Sequence, residues 1–451
     1  MKVWMCGIAG GYGVSVHAML ESISHRGRDG AGTFSTSALT LGHLHHATHS
    51  RDPQPLRGCF LVGAGNGEIY NHRELAEAAP HGCRTKSDFE PVLHLIEEHH
   101  TGSLLQAVAK VHPLIDGEYA MAVTDGRDTV LLRDHAGTKP LYLSSRCFAS
   151  EKKALWRVGV KGRPLSPAEV HSLCHGTLLL SRLKRVAVKN PVEHLLEALS
   201  TAVTKRASHL RSFGVLVSGM DSLTLAHLCA ARGYHPRLYT LSLPGSPDWS
   251  LKVEHLGLEH IQVEASPEDI EAAINRVLHA IEEPSPVSLS IALPIHLACS
   301  AASGDGEKVL LTGQGCDELF GGYARYLREK SPEEAMLRDY LHMYRNNLER
   351  DDKAAMSAGI ELLHPYTDRQ VVEVALSLPL RWKLHGGERK LIVRRVAQKL
   401  QVPEHLLRRK RAIQYSSGTM KVLKKLAKAE KKKLSDFVSE RFRAIFSAPP
   451  A

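Results

Sequence analysis

The stretch Phe213-Gly214-Val215-Leu216-Val217-Ser218-Gly219-Met220-Asp221-Ser222-Leu223-Thr224-Leu225-Ala226 sets the architecture of the larger part of the chain. An apolar run ends in Ser-Gly and a helical pattern begins within two residues, so the text reads strand, tight turn, helix. Such a turn offers backbone N–H groups and hydroxyls at the positively polarised start of a helix, a setting that suits phosphate or pyrophosphate. Asp221 adds a carboxylate where a Mg2+ bridging those phosphates would sit. The same pattern alone also describes a strand-to-helix turn capped for purely structural reasons.

A second stretch repeats the logic. Val309-Leu310-Leu311-Thr312-Gly313-Gln314-Gly315-Cys316-Asp317-Glu318-Leu319-Phe320-Gly321-Gly322-Tyr323 again runs from an apolar strand into a Gly-rich turn, and it delivers two adjacent acids. In a parallel sheet both strand ends open on one edge, where such sheets bind ligands, which would let Asp221 and Asp317 share one metal. Around these stretches strand-like runs at 213–217, 238–243 and 309–312 alternate with helical ones at 192–207, 222–232 and 270–282. That alternation predicts a parallel sheet with helices on both faces. From Pro332 onward the pattern is mostly helical.

Upstream the text changes. Short strands at 5–13, 61–71, 118–125, 129–134 and 140–144, punctuated by glycine, with a helix across 88–100, predict a layered α+β domain. A polar stretch ending at Asn190-Pro191 places the boundary near 185–190. The expected domains are 5–185, 190–420 and a basic tail at 421–451.

The chain has 451 residues, 43% hydrophobic and 24% charged, the composition of folded globular domains. Its net charge of +10 raises the question of an anionic partner. The densest basic run, Lys421, Lys424, Lys425, Lys428, Lys431, Lys432 and Lys433, is terminal and accounts for most of the surplus. It reads as a solvated helix face or loose tail, and a nucleic-acid partner is not expected. The eight cysteines Cys6, Cys59, Cys83, Cys147, Cys174, Cys229, Cys299 and Cys316 contain no Cys-x-x-Cys pair, so neither a disulfide scaffold nor a zinc site is indicated. The sequence reads as lacking an apolar stretch of about 18 residues and a secretory signal, which predicts an intracellular, cytoplasmic protein without a membrane partner.

Near the N-terminus stand Met5-Cys6-Gly7-Ile8-Ala9-Gly10, His25-Arg26-Gly27-Arg28-Asp29-Gly30, Ser50-Arg51, Gly65-Asn66-Gly67-Glu68-Ile69-Tyr70-Asn71 and Thr85-Lys86-Ser87-Asp88. Together they resemble the class II glutamine amidotransferases. From Met5 to about Ser417 the chain resembles the glutamine-hydrolysing asparagine synthetase family, in a compact form like the archaeal members. The likeness includes Asp116-Gly117-Glu118-Tyr119-Ala120, Arg133-Asp134, Gly137-Thr138-Lys139-Pro140, Phe148 to Leu155, both glycine-rich turns, Arg350-Asp351-Asp352, Glu361, Pro365-Tyr366 with Asp368, and Lys390 with Arg394.

The resemblance implies an Ntn-hydrolase-like αββα domain followed by an α/β parallel-sheet ATP-pyrophosphatase (PP-loop) domain with a helical C-terminal part. It implies Cys6 as N-terminal nucleophile with its own α-amine as base, an amine whose ordinary pKa is about 8. Asn66 and the N–H of Gly67 would form the oxyanion hole, Arg51 would hold the glutamine α-carboxylate, and Glu68 and Asp88 its α-amino group. Ser218, Gly219, Asp221 and Ser222, with Gly313 and Gly315, would bind ATP, Asp221 and Asp317 would hold Mg2+, and Lys390 would stabilise the departing pyrophosphate. Glutamine, aspartate and ATP are the implied substrates, β-aspartyl-AMP the implied intermediate, and a homodimer is left open.

Four departures stand out. The turn Ser218-Gly219-Met220-Asp221-Ser222 is one residue shorter than the family's Ser-Gly-Gly-x-Asp-Ser. Gln314 occupies the place of a bacterial glutamate proposed as base for ammonia, and a neutral amide cannot take that proton. Leu363-His364-Pro365-Tyr366 replaces an Arg-x-Pro-Phe. Met1-Lys2-Val3-Trp4 precede Met5-Cys6, so a free Cys6 amine requires translation from Met5 and removal of that methionine. Two other readings stand beside this one: an amidotransferase acting on another carboxylate, since no residues of an aspartate pocket are identified, and a catalytically impaired regulatory or binding protein, motivated by the shortened turn, Gln314 and the blocked Cys6.

Overall fold

The structure, a computed structural model, describes residues 6–27, 30–45, 52–167, 169–180, 183–242, 256–407 and 418–446. These form two compact units that divide between 180 and 183. Met5, Arg28, Asp29, Ser50 and Arg51, which carry part of the sequence motifs, lie outside the described residues.

In the first unit the strands are β1 (Gly7–Tyr12), β2 (Gly30–Ser35), β3 (Leu39–His45), β4 (Leu56–Arg57), β5 (Val62–Ile69), β6 (Gly117–Thr124), β7 (Thr129–Arg133), β8 (Tyr142–Leu143), β9 (Cys147–Ala149), β10 (Arg163–Pro164), β11 (Glu169–Ser172) and β12 (Gly176–Leu179). They make two antiparallel sheets, ordered β10-β8-β9-β1-β3-β2 and β12-β11-β7-β6-β5-β4. Alternation along each strand sorts the side chains by face. Ile8 and Leu41 of the first sheet meet Val62, Ala64, Ala120, Ala122 and Leu131 of the second in one core. The opposite face of the first sheet packs Ala9 and Leu44 on Met19 and Leu20 of helix Val16–Ser22 and on Ala154 and Leu155 of helix Lys152–Arg157. The opposite face of the second packs Met121, Val123 and Leu132 on helices Glu90–Glu98 and Leu104–Val111. The unit is an αββα sandwich.

The sequence reading located β1, β5, β6, β7 and β8 and overlooked the β2–β3 hairpin. β3 is buried along most of its length, so it lacks the polar alternation that marks a half-exposed strand.

In the second unit β13 (Gly214–Leu216), β14 (Arg237–Ser242), β15 (His260–Glu264), β16 (Val309–Leu311) and β17 (Glu361–Leu363) form a sheet ordered β15-β14-β13-β16-β17. All its pairings are parallel. Helices Pro191–Ala207, Met220–Ala231 and Leu391–Lys399 pack on one face through Leu199, Leu223 and Val393. Helices Pro267–Ile281 and Pro286–Gly304 pack on the other through Ile274, Val277, Leu289 and Leu293. β15 and β17 went unread; a strand as short as Glu361–Leu363 acquires its identity only from its neighbour β16.

Helix Pro286–Gly304 corrects one expectation: its 19 residues are long and apolar enough to cross a membrane. Its interior Pro294 and five serines and histidines obscured that in the text; Leu289, Leu293 and Ala298 are buried in the core, which makes it a central helix of this unit. Lys421, Lys424, Lys425 and Lys428 line the exposed side of helix Thr419–Ala429 and Lys431, Lys432 and Lys433 follow in the turn after it, while Leu423 and Ala427 pack into the same core with Phe437 and Val438 of helix Leu434–Ile445.

Candidate active sites

From β13 the chain runs outward through β14 to β15, then returns to β16 on the other side of β13. A crevice opens at such a reversal, at the carboxyl ends of the strands. Gly214 pairs with Leu310 and Val215 with Leu311, so the two Gly-rich turns leave the sheet side by side. A Cβ on Gly313 would lie 2.9 Å from the Asp221 Cβ and 3.0 Å from the Ser222 nitrogen; glycine is what lets the turns touch. Ser222 closes the first turn: its Oγ accepts from the Ser218 N–H at 3.0 Å and donates to the Gly219 carbonyl at 3.1 Å.

Lys390 precedes helix Leu391–Lys399 in a left-handed conformation, φ 56°, uncommon for a residue with a side chain. Its Nζ lies 2.7 Å from Asp221 Oδ2 and 2.5 Å from Asp317 Oδ1. Burial pulls this ammonium down, but the charges of Asp221 and Asp317 outweigh it and hold the group well above the ordinary lysine value. Gly322 makes room for the trio, since a Cβ there would fall 1.7 Å from Asp317 Oδ1 and 2.2 Å from Lys390 Cε. Two carboxylates already converge on one cation, and hard oxygen donors suit Mg2+, so this donor set fits that metal. Cys316 Sγ donates to Asp221 Oδ1 at 3.2 Å, with burial, then the Asp221 charge, pushing the thiol well up.

A cavity of about 390 Å³ covers these groups. Ser218, Asp221, Asp317 and Lys390 supply its polar wall, and Leu216, Ile291, Ile295 and Leu362 an apolar one. That volume suits a small-molecule ligand.

Three residues in and around this cavity had no role in the sequence reading. Asp351, on helix Glu349–Met356, is 1% exposed; its Oδ1 lies 2.7 Å from the Arg350 guanidinium and its Oδ2 accepts from Gln314 Nε2. The sequence signal was the neutral amide at Gln314, against which this carboxylate of helix Glu349–Met356 lies. Tyr366 donates to the Asp221 carbonyl at 3.1 Å, a bond a phenylalanine could not make. Glu318 accepts from Tyr323 and from Asn347 Nδ2, and its Oε2 has no partner; burial, then the Asp317 charge, pushes it up to about 7.

In the first unit strand alternation gathers a different set. Asn66 and Glu68 share the β5 face of Val62 and Ala64, so they project into the space between the sheets, as do His43 and His45 on the face of Leu41. Cys6 immediately precedes β1, whose Ile8 lies on that face. Cys6 comes together with His43 and His45, each offering a donor atom within 4.8 Å of the others. Asn66 is 3% exposed, and its Nδ2 has no acceptor. Gly67 has φ +120°, and a Cβ there would strike the Glu118 carbonyl oxygen at 1.9 Å. Asp88 Oδ2 accepts from the Ile69 N–H at 2.6 Å, tying the end of β5 to the start of the Glu90–Glu98 region. His43 is buried, which lowers its pKa to about 3 and keeps the ring neutral.

Two of the motif segments meet in an internal ion cluster. Glu151 is wholly buried against Arg26, Lys153 and His25, the last at 3.0 Å. Burial opposes its ionisation, but these neighbours hold it well below the usual carboxylate range. Next to it, the Ser150 hydroxyl accepts from the Ile8 N–H at 2.9 Å and pins β1 two residues after Cys6.

Residues 5–211 match the glutamine amidotransferase domain family, and residues 194–333 and 328–447 match asparagine synthase. A Methanocaldococcus jannaschii protein named as a candidate glutamine-hydrolysing asparagine synthetase is 31% identical over 95% of this chain and 96% of its own. Asparagine synthetase 2 of Arabidopsis thaliana is 30% identical over 88% of this chain and 74% of its own, and the Sandersonia aurantiaca enzyme 29% over 92% and 87%. Two compact units in this order, the second with two glycine-rich turns leaving its sheet side by side, and matches spanning nearly the whole chain, place this protein in the glutamine-hydrolysing asparagine synthetase family.

Proposed function

We propose that this protein is an ATP-dependent carbon–nitrogen ligase that makes asparagine from aspartate with nitrogen from glutamine. The observation that carries the reading is the Lys390 ammonium bridging Asp221 and Asp317 at the crevice of the parallel sheet. The turn at Ser218, Gly219, Asp221 and Ser222, with Gly313 and Gly315 opposite, receives the pyrophosphate of ATP, and the apolar wall receives the base. Asp221 and Asp317 would hold Mg2+, which would supply positive charge beside the phosphates. The aspartate β-carboxylate attacks the α-phosphorus and pyrophosphate leaves; Lys390 meets the charge that develops on it, an effect strongest where water is excluded.

Ammonia then attacks the activated carbonyl and AMP departs. The attacking nitrogen must shed a proton, and Gln314 cannot accept one. Asp351, hydrogen-bonded to Gln314 in the cavity wall, is the carboxylate we assign to that proton.

In the first unit Cys6 attacks the glutamine side-chain amide, its α-amine taking the thiol proton once the residues before it are gone. The Asn66 amide, whose buried Nδ2 lacks an acceptor, and the Gly67 N–H stabilise the oxyanion. Glu68 and Asp88 hold the glutamine α-amino group, and Arg51 its carboxylate. The free cysteines fit a reducing cytoplasm.

The test is pyrophosphate release from ATP across a panel of carboxylic acids, first with glutamine and then with ammonium. Aspartate-dependent release supports the proposal. Release with a different acid moves the acceptor, and silence with every acid sinks the ligase reading.

A further inference from the structure

We propose that Cys6, His43 and His45 form a binding site for a thiophilic divalent cation of the Zn2+ type, and that the bound cation withholds the Cys6 thiolate from glutamine. The second half rests on Cys6 being the glutaminase nucleophile; the first does not.

The site is built by register. β1 and β3 are antiparallel, with Gly7 opposite Leu44 and Ile8 opposite His43, so one further step sets Cys6 opposite His45. Directly opposed residues and those one diagonal step away share a face and lie within side-chain reach. All three side chains therefore point between the sheets, and their donor atoms lie within 4.8 Å of one another. Donors around a tetrahedral Zn2+ lie about 3.3–3.8 Å apart, given bonds of about 2.0–2.3 Å, so a modest contraction completes the site.

His43 is poised for this role. It is wholly buried, and its Nε2 lies 3.2 Å from the Gly65 carbonyl. A carbonyl only accepts, so Nε2 carries the hydrogen and Nδ1 keeps its lone pair. That Nδ1 has no hydrogen-bond partner. A metal-binding imidazole characteristically has this arrangement, one nitrogen tied to a backbone carbonyl and the other turned to the metal. Leaving a buried acceptor unmet costs about 1–3 kcal/mol, a penalty a bound cation removes. One sulfur and two imidazole nitrogens select Zn2+ over Mg2+ or Ca2+, and three protein ligands leave a fourth position open. On binding, the Cys6 thiol releases its proton to solvent and the thiolate takes the metal.

A second trio, Cys59, His94 and Glu97, is committed to structure. His94 Nδ1 lies 3.1 Å from Glu97 Oε2, while Glu97 Oε1 accepts from the Phe60 and Leu61 N–H groups. The sequence hid the first trio because Cys6, just before β1, stands far along the chain from His43 and His45 on β3, and only the β1–β3 pairing brings them together.

Co2+ titration of the full chain carrying Cys59→Ser tests the site, read by the thiolate-to-cobalt charge-transfer band and the visible bands of four-coordinate Co2+. One equivalent is expected to bind, Zn2+ to displace it and Mg2+ not to. Cys6→Ser should abolish the charge-transfer band and His45→Ala should weaken the visible bands. No band, or a band that survives Cys6→Ser, overturns the site. Alkylation of the Cys59→Ser protein needs no further variant: Zn2+ should slow iodoacetamide labelling of Cys6 at least tenfold, and unchanged labelling counts against the site. Zn2+ should also stop glutamine hydrolysis reversibly by chelator while ammonium-dependent pyrophosphate release continues. Cobalt binding at Cys6 with Zn2+-insensitive hydrolysis refutes the second half alone. Binding in a chain that hydrolyses no glutamine refutes the nucleophile assignment and leaves the metal site standing.

Discussion

Gly322→Ala should disable synthesis through a single methyl group. The new Cβ would lie 1.7 Å from Asp317 Oδ1 and 2.2 Å from Lys390 Cε, where real Cβ contacts do not fall below 3.0 Å. Relief requires the carboxylate oxygen to withdraw by about 1.3 Å and the lysine carbon by about 0.8 Å. Both are ends of flexible side chains, so the fold survives and the 2.5 Å contact between Lys390 and Asp317 does not. A charge-assisted hydrogen bond of this kind contributes about 1.5–3 kcal/mol. At about 1.4 kcal/mol per decade, kcat/KM for aspartate-dependent pyrophosphate release with ammonium should fall about 10- to 150-fold. Glutamine hydrolysis, carried out in the other unit, should not change. Gly304→Ala, with nothing within 4 Å of its Cβ and no positive φ, is the control and should be silent. Wild-type pyrophosphate release by Gly322→Ala would refute the claim that the Asp221–Lys390–Asp317 contact supports turnover.

Asp351→Asn should retain aspartate-dependent pyrophosphate release and slow asparagine formation about 100-fold or more with either nitrogen source, measured by amino-acid analysis; equal loss of both would place Asp351 in activation instead. Cys6→Ala should abolish glutamine use and spare ammonium, Asn66→Ala should lower kcat for glutamine hydrolysis about 100- to 1000-fold, and intact mass should show a mature chain beginning at Cys6. His296, buried with Nδ1 2.7 Å from the Ser357 hydroxyl, has its pKa lowered by burial to about 4 from 6.5. Between those values the unfolded chain binds the proton and the native one does not, so stability rises with pH through that window. His296→Gln should flatten the urea-midpoint dependence between about pH 4 and 6.5, a difference of order 3 kcal/mol at its largest; an unchanged slope would contradict it.

Local order carried the sequence reading far. The apolar runs before Ser218 and Thr312, each broken by glycine, announced two strand-turn-helix units of a parallel sheet, and Asp221 and Asp317 were legible as acids at strand ends. Motif order along the chain pointed to the family. Helix Pro286–Gly304 was illegible because Pro294 and its scattered serines and histidine break up the apolar run, and strand β17 because three wholly buried residues carry no polar period that would separate strand from helix.

What the sequence alone determined was therefore local: which segments favour strand or helix, and which residue types stand at the turns. Only the tertiary structure decided which of them meet. Lys390 lies 169 residues from Asp221 yet donates to it, Asp351 faces Gln314 from a helix 37 residues on, and β1–β3 pairing turns Cys6, His43 and His45 toward one point. The physical reason is that strand and helix periods act over a few residues, whereas register and sheet order are set by the burial of whole faces. Chemistry that needs several side chains within a few ångströms becomes visible only after that burial is settled.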